Sequence, residues 1–289
     1  MAITNYGKSV HDRLLNIAKL RNLSYQTLVS RYIQERLLYR LSISRYREHF
    51  LLKGGALIYA ISGLEARPTV DIDFLGEKIS RDMVFLRKVF AEICSIKYDA
   101  DGIYFDSSSI ETEELMIAKE YNGVRIRIGA KLHSMRETVS MDIGFGDVVY
   151  PYANELDYPA LLEENPIKLL AYSPEKVVAE KFEAMIKLGL LNSRMKDFYD
   201  VYMLLTSKSL RMEELGNAIS ATFSNRNTPY IENHPLFTDT FKTDSSRNMR
   251  WKAYLKKIKS PHSLSFSEVV DRIIDELNPF WEAMKYPKY

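Results

Sequence analysis

Residues Leu51–Leu75, LLKGGALIYAISGLEARPTVDIDFL, decide the fold. Gly54 and Gly55 open an apolar run that predicts a helix over about 55–63, with Gly63 suited to its C-terminal cap. Pro68 keeps the chain extended into Thr69-Val70-Asp71-Ile72-Asp73-Phe74, whose polar–apolar alternation predicts a strand over 69–75. Successive strand side chains point to opposite faces, so Asp71 and Asp73 share one. Two carboxylates so placed repel unless a positive charge lies between them. A hard divalent cation that prefers oxygen ligands, Mg²⁺ or Mn²⁺, is the usual partner. A glycine turn that opens a helix presents backbone N–H groups to phosphate. One stretch thus offers both halves of a nucleotide–metal site. The plainer alternative is a solvated edge strand behind an ordinary Gly-Gly turn.

A phosphoryl-transfer site needs further groups: another carboxylate and a cation for developing charge. Asp142, between Met141 and Ile143 in a strand pattern over 138–144, is the leading third carboxylate, and adjacent antiparallel pairing would bring it to Asp73; Asp147 is a weaker alternative. Asp142 can equally be a solvent-facing strand residue. Ser173-Pro174-Glu175 reads as N-cap, first-turn proline and first-turn acid of a helix running to about Lys187 and ended by Gly189. Lys181 lies among its apolar residues and could reach triphosphate oxygens. On the next predicted helix, 194–205, Asp197 and Asp200 share a face. Asp197 either fixes Lys181 for that task or forms an ordinary interhelical ion pair with it.

Composition bounds the rest. The 289 residues are 46% hydrophobic and 27% charged, the make-up of a globular protein with a sizeable core. No apolar run is long enough for a membrane helix and no signal-peptide pattern opens the chain, so no membrane association is expected. The lone Cys94 excludes an internal disulfide and fits a reducing cytoplasm. The five histidines are scattered, which argues against a zinc site. Net charge is only +2, but residues 1–50 hold nine Lys/Arg against three Asp/Glu, and 242–259 hold seven against one. Such patches suit a polyanion or are simply solvated helix faces.

Along the chain, 7–21 (Val10, Leu14, Ile17 and Leu20 inward, Ser9 a candidate cap) and 24–40 predict a helical hairpin with a basic outer face. A helix follows at 80–95. Residues 98–110 read as strand and loop, and strands are expected at 115–120, 124–132 and 138–144, with Asn122-Gly123 as a hairpin turn. Residues 151–172 read as irregular with one short strand, and later helices at 211–222, 246–258 and 265–284. Trp251 and Tyr254 could stack on bases, though aromatics at helical spacing more often belong to a core.

Four segments in this order, LKGGALIYAI with RPTVDIDFL, SMDIGFGD, SPEKVVAEKFEAMI and NSRMKDFYDVYML, resemble the AbiEii/AbiGii toxin family. The resemblance implies an α+β fold with a polymerase-β-type nucleotidyltransferase core (46–150), an N-terminal helical hairpin (1–45) and a mostly helical C-terminal domain (151–289). It implies a toxin of a toxin–antitoxin or phage-defence system, with a cognate antitoxin, that uses Mg²⁺ to transfer nucleotides from an NTP to RNA, the tRNA 3′ end foremost. Nucleotidyl transfer to a protein or small molecule, or a non-catalytic binding role, are the alternatives. By motif, catalysis would fall to Asp71, Asp73, Lys181 and Asp197. Nucleotide binding would fall to Gly54, Gly55, Thr69, Lys181 and Lys196, and metal binding to Asp71, Asp73 and Asp142. Gly55 departs from the superfamily's usual Gly-Ser and removes a hydroxyl that can contact phosphate.

Overall fold

The computed structural model describes residues 5–63, 66–117, 121–150, 152–207 and 210–285. Two compact units emerge: one up to Gly146 together with Asn154–Ala171, the other Asp147–Ala153 with the chain from Tyr172 onward.

The first unit is built on a mixed seven-stranded sheet in the order β3-β4-β5-β2-β1-β7-β6. Its elements are α1 (Tyr6–Arg21), α2 (Tyr25–Ser42), β1 (Phe50–Lys53), α3 (Gly54–Ser62), β2 (Asp71–Gly76), α4 (Met83–Ser95), β3 (Ile103–Ile117), β4 (Tyr121–Leu132), β5 (Met135–Phe145), β6 (Asn154–Tyr158) and β7 (Ile167–Ala171). The α+β class and the mixed sheet agree with the expectation. Alternation along the strands sorts the two faces: Phe50, Leu52, Ile72, Phe74, Ile126, Ile128, Met141 and Ile143 are all buried. Phe50 packs edge-on against Phe74 and against Phe90 of α4, at 5.8 and 5.3 Å between centroids.

Several expected details change. Asn5, not Ser9, caps α1, accepting from Lys8 N at 2.9 Å, and Leu20 is exposed while Ala18 turns inward. The strand-and-loop segment at 98–110 and the strand expected at 115–120 share one strand, β3, with an irregularity between Asp106 and Glu111. Asn122 and Gly123 sit inside β4 opposite Met116 and Leu115, rather than at a hairpin turn; residues 118–120 lie outside the described ones. Residues 151–172 contain two strands rather than one, and β7 joins β1 in parallel.

The largest departure is α2. Its arginines were expected on a basic outer face, yet Arg31, Arg36 and Arg40 are buried. The lysines and arginines that remain exposed in the hairpin, Lys8, Arg13, Lys19 and Arg21, lie on α1. Arg36 Nε and Arg40 Nη1 donate to Asp101 Oδ2 at 3.1 and 2.6 Å, and Asp101 is fully buried. A charge in a low-dielectric interior is tolerated only with such partners. Arg31 donates to the Ala66 carbonyl (3.1 Å) and Gln34 to that of Val70 (2.6 Å), which ties α2 to the segment leading into β2. Glu35 accepts from Leu161 N at 2.7 Å. Burial pushes its carboxyl up to about 7, against the pull of that hydrogen bond and of Arg36.

The second unit is helical: α5 (Pro174–Leu188), α6 (Met195–Thr206), α7 (Met212–Asn225), α8 (Asp239–Thr243), α9 (Ser245–Ile258) and α10 (Phe266–Ala283). Ser173 caps α5 as its sequence indicates, accepting from Lys176 N at 3.2 Å, and Gly189 ends it at φ +46°. Trp251 is core rather than a stacking platform: it is buried against Tyr199 and Phe266, and its Nε1 donates to the Leu264 carbonyl at 2.8 Å. Arg226 holds Asp147 (3.0 Å) and Glu183 (2.8 Å), tying the segment after β5 to α5.

The buried charges of the first unit set its stability. Asp101→Ala strands two buried guanidinium groups and should cost about 3–5 kcal/mol, read by urea unfolding; a loss below ~1 kcal/mol would show the pair to be dispensable. Glu35 has a raised pKa in the folded state, so the stability linked to it is present below the ordinary carboxylate range and is lost as pH rises through about 7. Glu35→Gln should therefore flatten that decline, on the order of 3 kcal/mol between acid and neutral pH, measured as unfolding free energy against pH.

Candidate active site

The site begins at the junction of β1 and α3. Gly54 has φ +64°, a conformation that L-residues with a Cβ avoid. It is also crowded: a Cβ there would lie 2.0 Å from Asp73 Oδ2. The Asp73 carboxylate therefore rests against the first residue of α3, at the helix end that favours negative charge. Gly55 is constrained differently, since a Cβ would come within 2.6 Å of Thr69 Oγ1. Thr69 Oγ1 in turn donates to the Asp71 carbonyl at 3.1 Å. The place of a serine side chain at position 55 is thus taken by the Thr69 hydroxyl, which gives the Gly-Gly sequence a steric reason.

Register aligns the charges into rows across the sheet. β1 and β2 are antiparallel with Lys53 opposite Asp73. β2 and β5 run parallel, not antiparallel as expected, with Asp73 opposite Asp142 and Asp71 opposite Ser140. β4 then places Arg125 opposite Asp142, and β3 places Glu113 opposite Arg125. Directly opposed residues share a face, so Lys53, Asp73, Asp142, Arg125 and Glu113 form one row. Asp71, Ser140, Arg127 and Glu111 form the next. The intervening Ile72 and Phe74 point into the core and are buried.

Asp142 is engaged within this row. Arg125 Nε and Nη2 donate to its two carboxylate oxygens, both at 2.7 Å. That fork raises the Arg125 pKa, with Asp142 and Asp71 adding electrostatic attraction. Arg127 is likewise paired with Glu113 at 2.7 Å. Among the described residues no three of His, Cys, Asp and Glu converge as an ion site. Asp71 and Asp73 remain a hard-oxygen pair on one face beside the Gly54 cradle, a donor set that fits Mg²⁺ or Mn²⁺. Asp142 offers oxygen as well, but both its atoms already face a guanidinium.

The other predicted residues lie in the helical unit. Lys181 on α5 is buried, and its Nζ contacts Asp197 Oδ1 at 2.7 Å and Asp200 Oδ2 at 2.9 Å on α6. Arg194 reaches the second Asp197 oxygen at 2.5 Å. Burial alone would lower the Lys181 pKa; Asp200 and Asp197 outweigh it and hold the ammonium pKa above its ordinary value. Burial likewise opposes Asp197 ionisation, and Lys181 and Arg194 reverse that to hold its carboxyl below the usual range. A lysine so held is a permanent cation at neutral pH. Lys196 is exposed on α6. Alternation along the sequence puts Arg125 and Arg127 on one strand face but gives neither a role in the site. The His133-Ser134 link between Leu132 and Met135 carries the signal, because counting back from it pairs Arg125 with Asp142.

Comparison with known proteins bears on the chemistry. A family model described as "Nucleotidyl transferase AbiEii toxin, Type IV TA system" matches residues 36–272. The crystal structure of JHP933 from Helicobacter pylori is similar at a TM-score of 0.52 and 14% identity, over 91% of this chain and 95% of that one. A putative nucleotidyltransferase from H. pylori is similar at a TM-score of 0.52 and 12% identity, over 92% of this chain and 100% of that one. At these identities the structures speak for the fold. No curated protein matches.

Gly54 and Gly63 have nearly equal positive φ, +64° and +63°, but Gly63 has no described atom within 4 Å of a built Cβ. Gly63→Ala should cost about 1 kcal/mol, and Gly54→Ala about 1–3 kcal/mol more as Asp73 is displaced. Thermal unfolding of the two variants checks this; equal losses would mean that the Asp73 approach carries no weight.

Proposed function

Because the chain belongs to the AbiEii nucleotidyl transferase toxin family of type IV toxin–antitoxin systems, we propose that it transfers a nucleotide from an NTP to an RNA acceptor, the tRNA 3′ end foremost, and so blocks translation. The observation that carries this reading is the Asp71–Asp73 pair on one face of β2, with Asp73 held against Gly54 at the opening of α3. In the reaction the acceptor 3′-hydroxyl oxygen bonds to the α-phosphorus, and pyrophosphate leaves. Asp71 and Asp73 would hold Mg²⁺ or Mn²⁺. When bound, such an ion supplies charge stabilisation at the phosphate oxygens. Gly54 and Gly55 present backbone N–H groups to the triphosphate, and the Thr69 hydroxyl stands beside them. Lys181, kept cationic and oriented by Asp197, is assigned to phosphate charge, with Lys196 as a further cation. A cognate antitoxin would restrain the activity in the cytoplasm, where tRNA and NTP meet.

A protein or small-molecule acceptor is the second reading. One observation favours it: the α2 arginines and Trp251, expected to meet RNA, are buried. On the side of RNA, α9 and its C-terminal cap keep Arg250, Lys252, Lys256, Lys257 and Lys259 at the surface.

Incubation with Mg²⁺, each labelled NTP in turn, total tRNA and an extract protein fraction separates the readings. Label on tRNA is expected, and its loss with Asp71→Ala or Lys181→Ala, accompanied by relief of growth inhibition on expression. Label on protein would select the second reading. No label with any NTP, or toxicity that survives both substitutions, would overturn the assignment.

A further inference from the structure

The sequence pattern offers Asp142 as a third metal ligand. The geometry points elsewhere: we infer that Arg125 is a phosphate-binding residue of the nucleotide site and that Asp142 is its positioning residue. The inference rests on the proposed nucleotide–metal reading of Asp71 and Asp73.

Three observations carry it. First, the guanidinium–carboxylate fork uses both Asp142 oxygens at 2.7 Å. Such bidentate pairs are among the stronger protein hydrogen bonds. A metal ion at Asp142 would have to displace one of these donors or share its oxygen with a cation. Second, the row order sets the distances. Asp142 stands between Asp73 and Arg125, so the guanidinium is carried one strand spacing beyond Asp142 and two from Asp73, on the open polar face of the sheet. Asp71 is near enough to act on Arg125 electrostatically. Third, Arg125 is not consumed by its fork. A guanidinium has five N–H donors, and the fork takes two. The side chain keeps 28% of its exposure, so the remaining donors are accessible to a ligand over the acid pair.

Charge balance supports the assignment. Two carboxylates neutralise one divalent ion and leave the triphosphate's own charges to the cations of this face. Arg125, neutralised in the free protein by Asp142, is a cation available there. A guanidinium fixed through one edge can offer its other edge to a phosphate in planar geometry, which an ammonium cannot reproduce. Lys53, the other cation of the row, stands on the opposite side of Asp73, so the row has a basic residue at each end of Asp73 and Asp142.

The test separates metal affinity from nucleotide affinity, measured on the full chain. Mn²⁺ binding is followed by loss of the free-ion EPR signal. Nucleotide binding is followed by calorimetry with α,β-methylene analogues of the four ribonucleoside triphosphates in the presence of Mn²⁺. Asp142→Asn should leave the Mn²⁺ dissociation constant within about twofold, yet weaken the best analogue by about tenfold, since the guanidinium loses its anchor. Arg125→Gln should weaken the analogue at least as much and leave Mn²⁺ unchanged, and Arg125→Lys should restore only part of the loss. Circular dichroism confirms that each variant is folded. Loss of Mn²⁺ affinity by tenfold or more in Asp142→Asn would make Asp142 a metal ligand and overturn the inference. Unchanged analogue affinity in Arg125→Gln would make the pair purely structural and overturn it equally. Wild-type protein that binds neither Mn²⁺ nor any analogue would remove the underlying reading, and the inference with it, a result distinct from either variant outcome.

Discussion

A carboxylate pressed against a backbone α-carbon organises the first unit. Asp73 occupies the space that any side chain at position 54 would need. The strand that carries the acids and the turn that opens α3 are therefore fitted to each other within van der Waals contact. Everything around that contact keeps it in place. Antiparallel pairing of β1 with β2 sets Lys53 opposite Asp73. Thr69 fills the gap over Gly55 and bonds to the carbonyl of Asp71. The polar side of α2 grips the approach to β2 through the Ala66 and Val70 carbonyls.

The buried charge on α2 shows how composition misleads when the third dimension is missing. Nine Lys/Arg in fifty residues suggest a surface for a polyanion. Three of them instead neutralise Asp101 or satisfy main-chain carbonyls inside the unit. A buried pair of this kind contributes little net free energy compared with an apolar substitute, but its loss on one side is costly. It also demands one arrangement of α2 against the 96–103 segment, since a carboxylate shared by two guanidinium groups has few alternative geometries. Trp251 behaves alike: its indole N–H finds a carbonyl rather than a base.

The helical unit buries charge in the same manner. Lys181 is buried, and two aspartates keep it charged where burial alone would favour the neutral amine. An ammonium so confined has little rotational freedom, and its ion partners hold its proton near neutral pH. Arg226 performs a structural counterpart, gathering Asp147 and Glu183 around one guanidinium.

Much of this was legible in the chain. Period-two alternation put Asp71 and Asp73 on one face because pleating leaves no choice once the strand forms. Ser173-Pro174 and Gly189 marked the ends of α5 through local backbone chemistry that needs no tertiary partner. The glycine pair and the acid pair are consequences of short-range geometry, whereas the Lys181–Asp197 contact joins two helices and was one option among those the sequence offered. What only the tertiary structure decided is which strand lies beside which. Parallel pairing of β2 with β5 joins residues some seventy positions apart, and nothing in either segment's periodicity names the other as its neighbour. That pairing sets Asp73 beside Asp142, whose ion pair with Arg125 comes from the β4–β5 hairpin, and so joins the acids of β2 to that pair in one row. The burial of Arg31, Arg36 and Arg40 was hidden for the same reason: a helix shows which residues share a face, but the partner that covers the face comes from elsewhere in the chain.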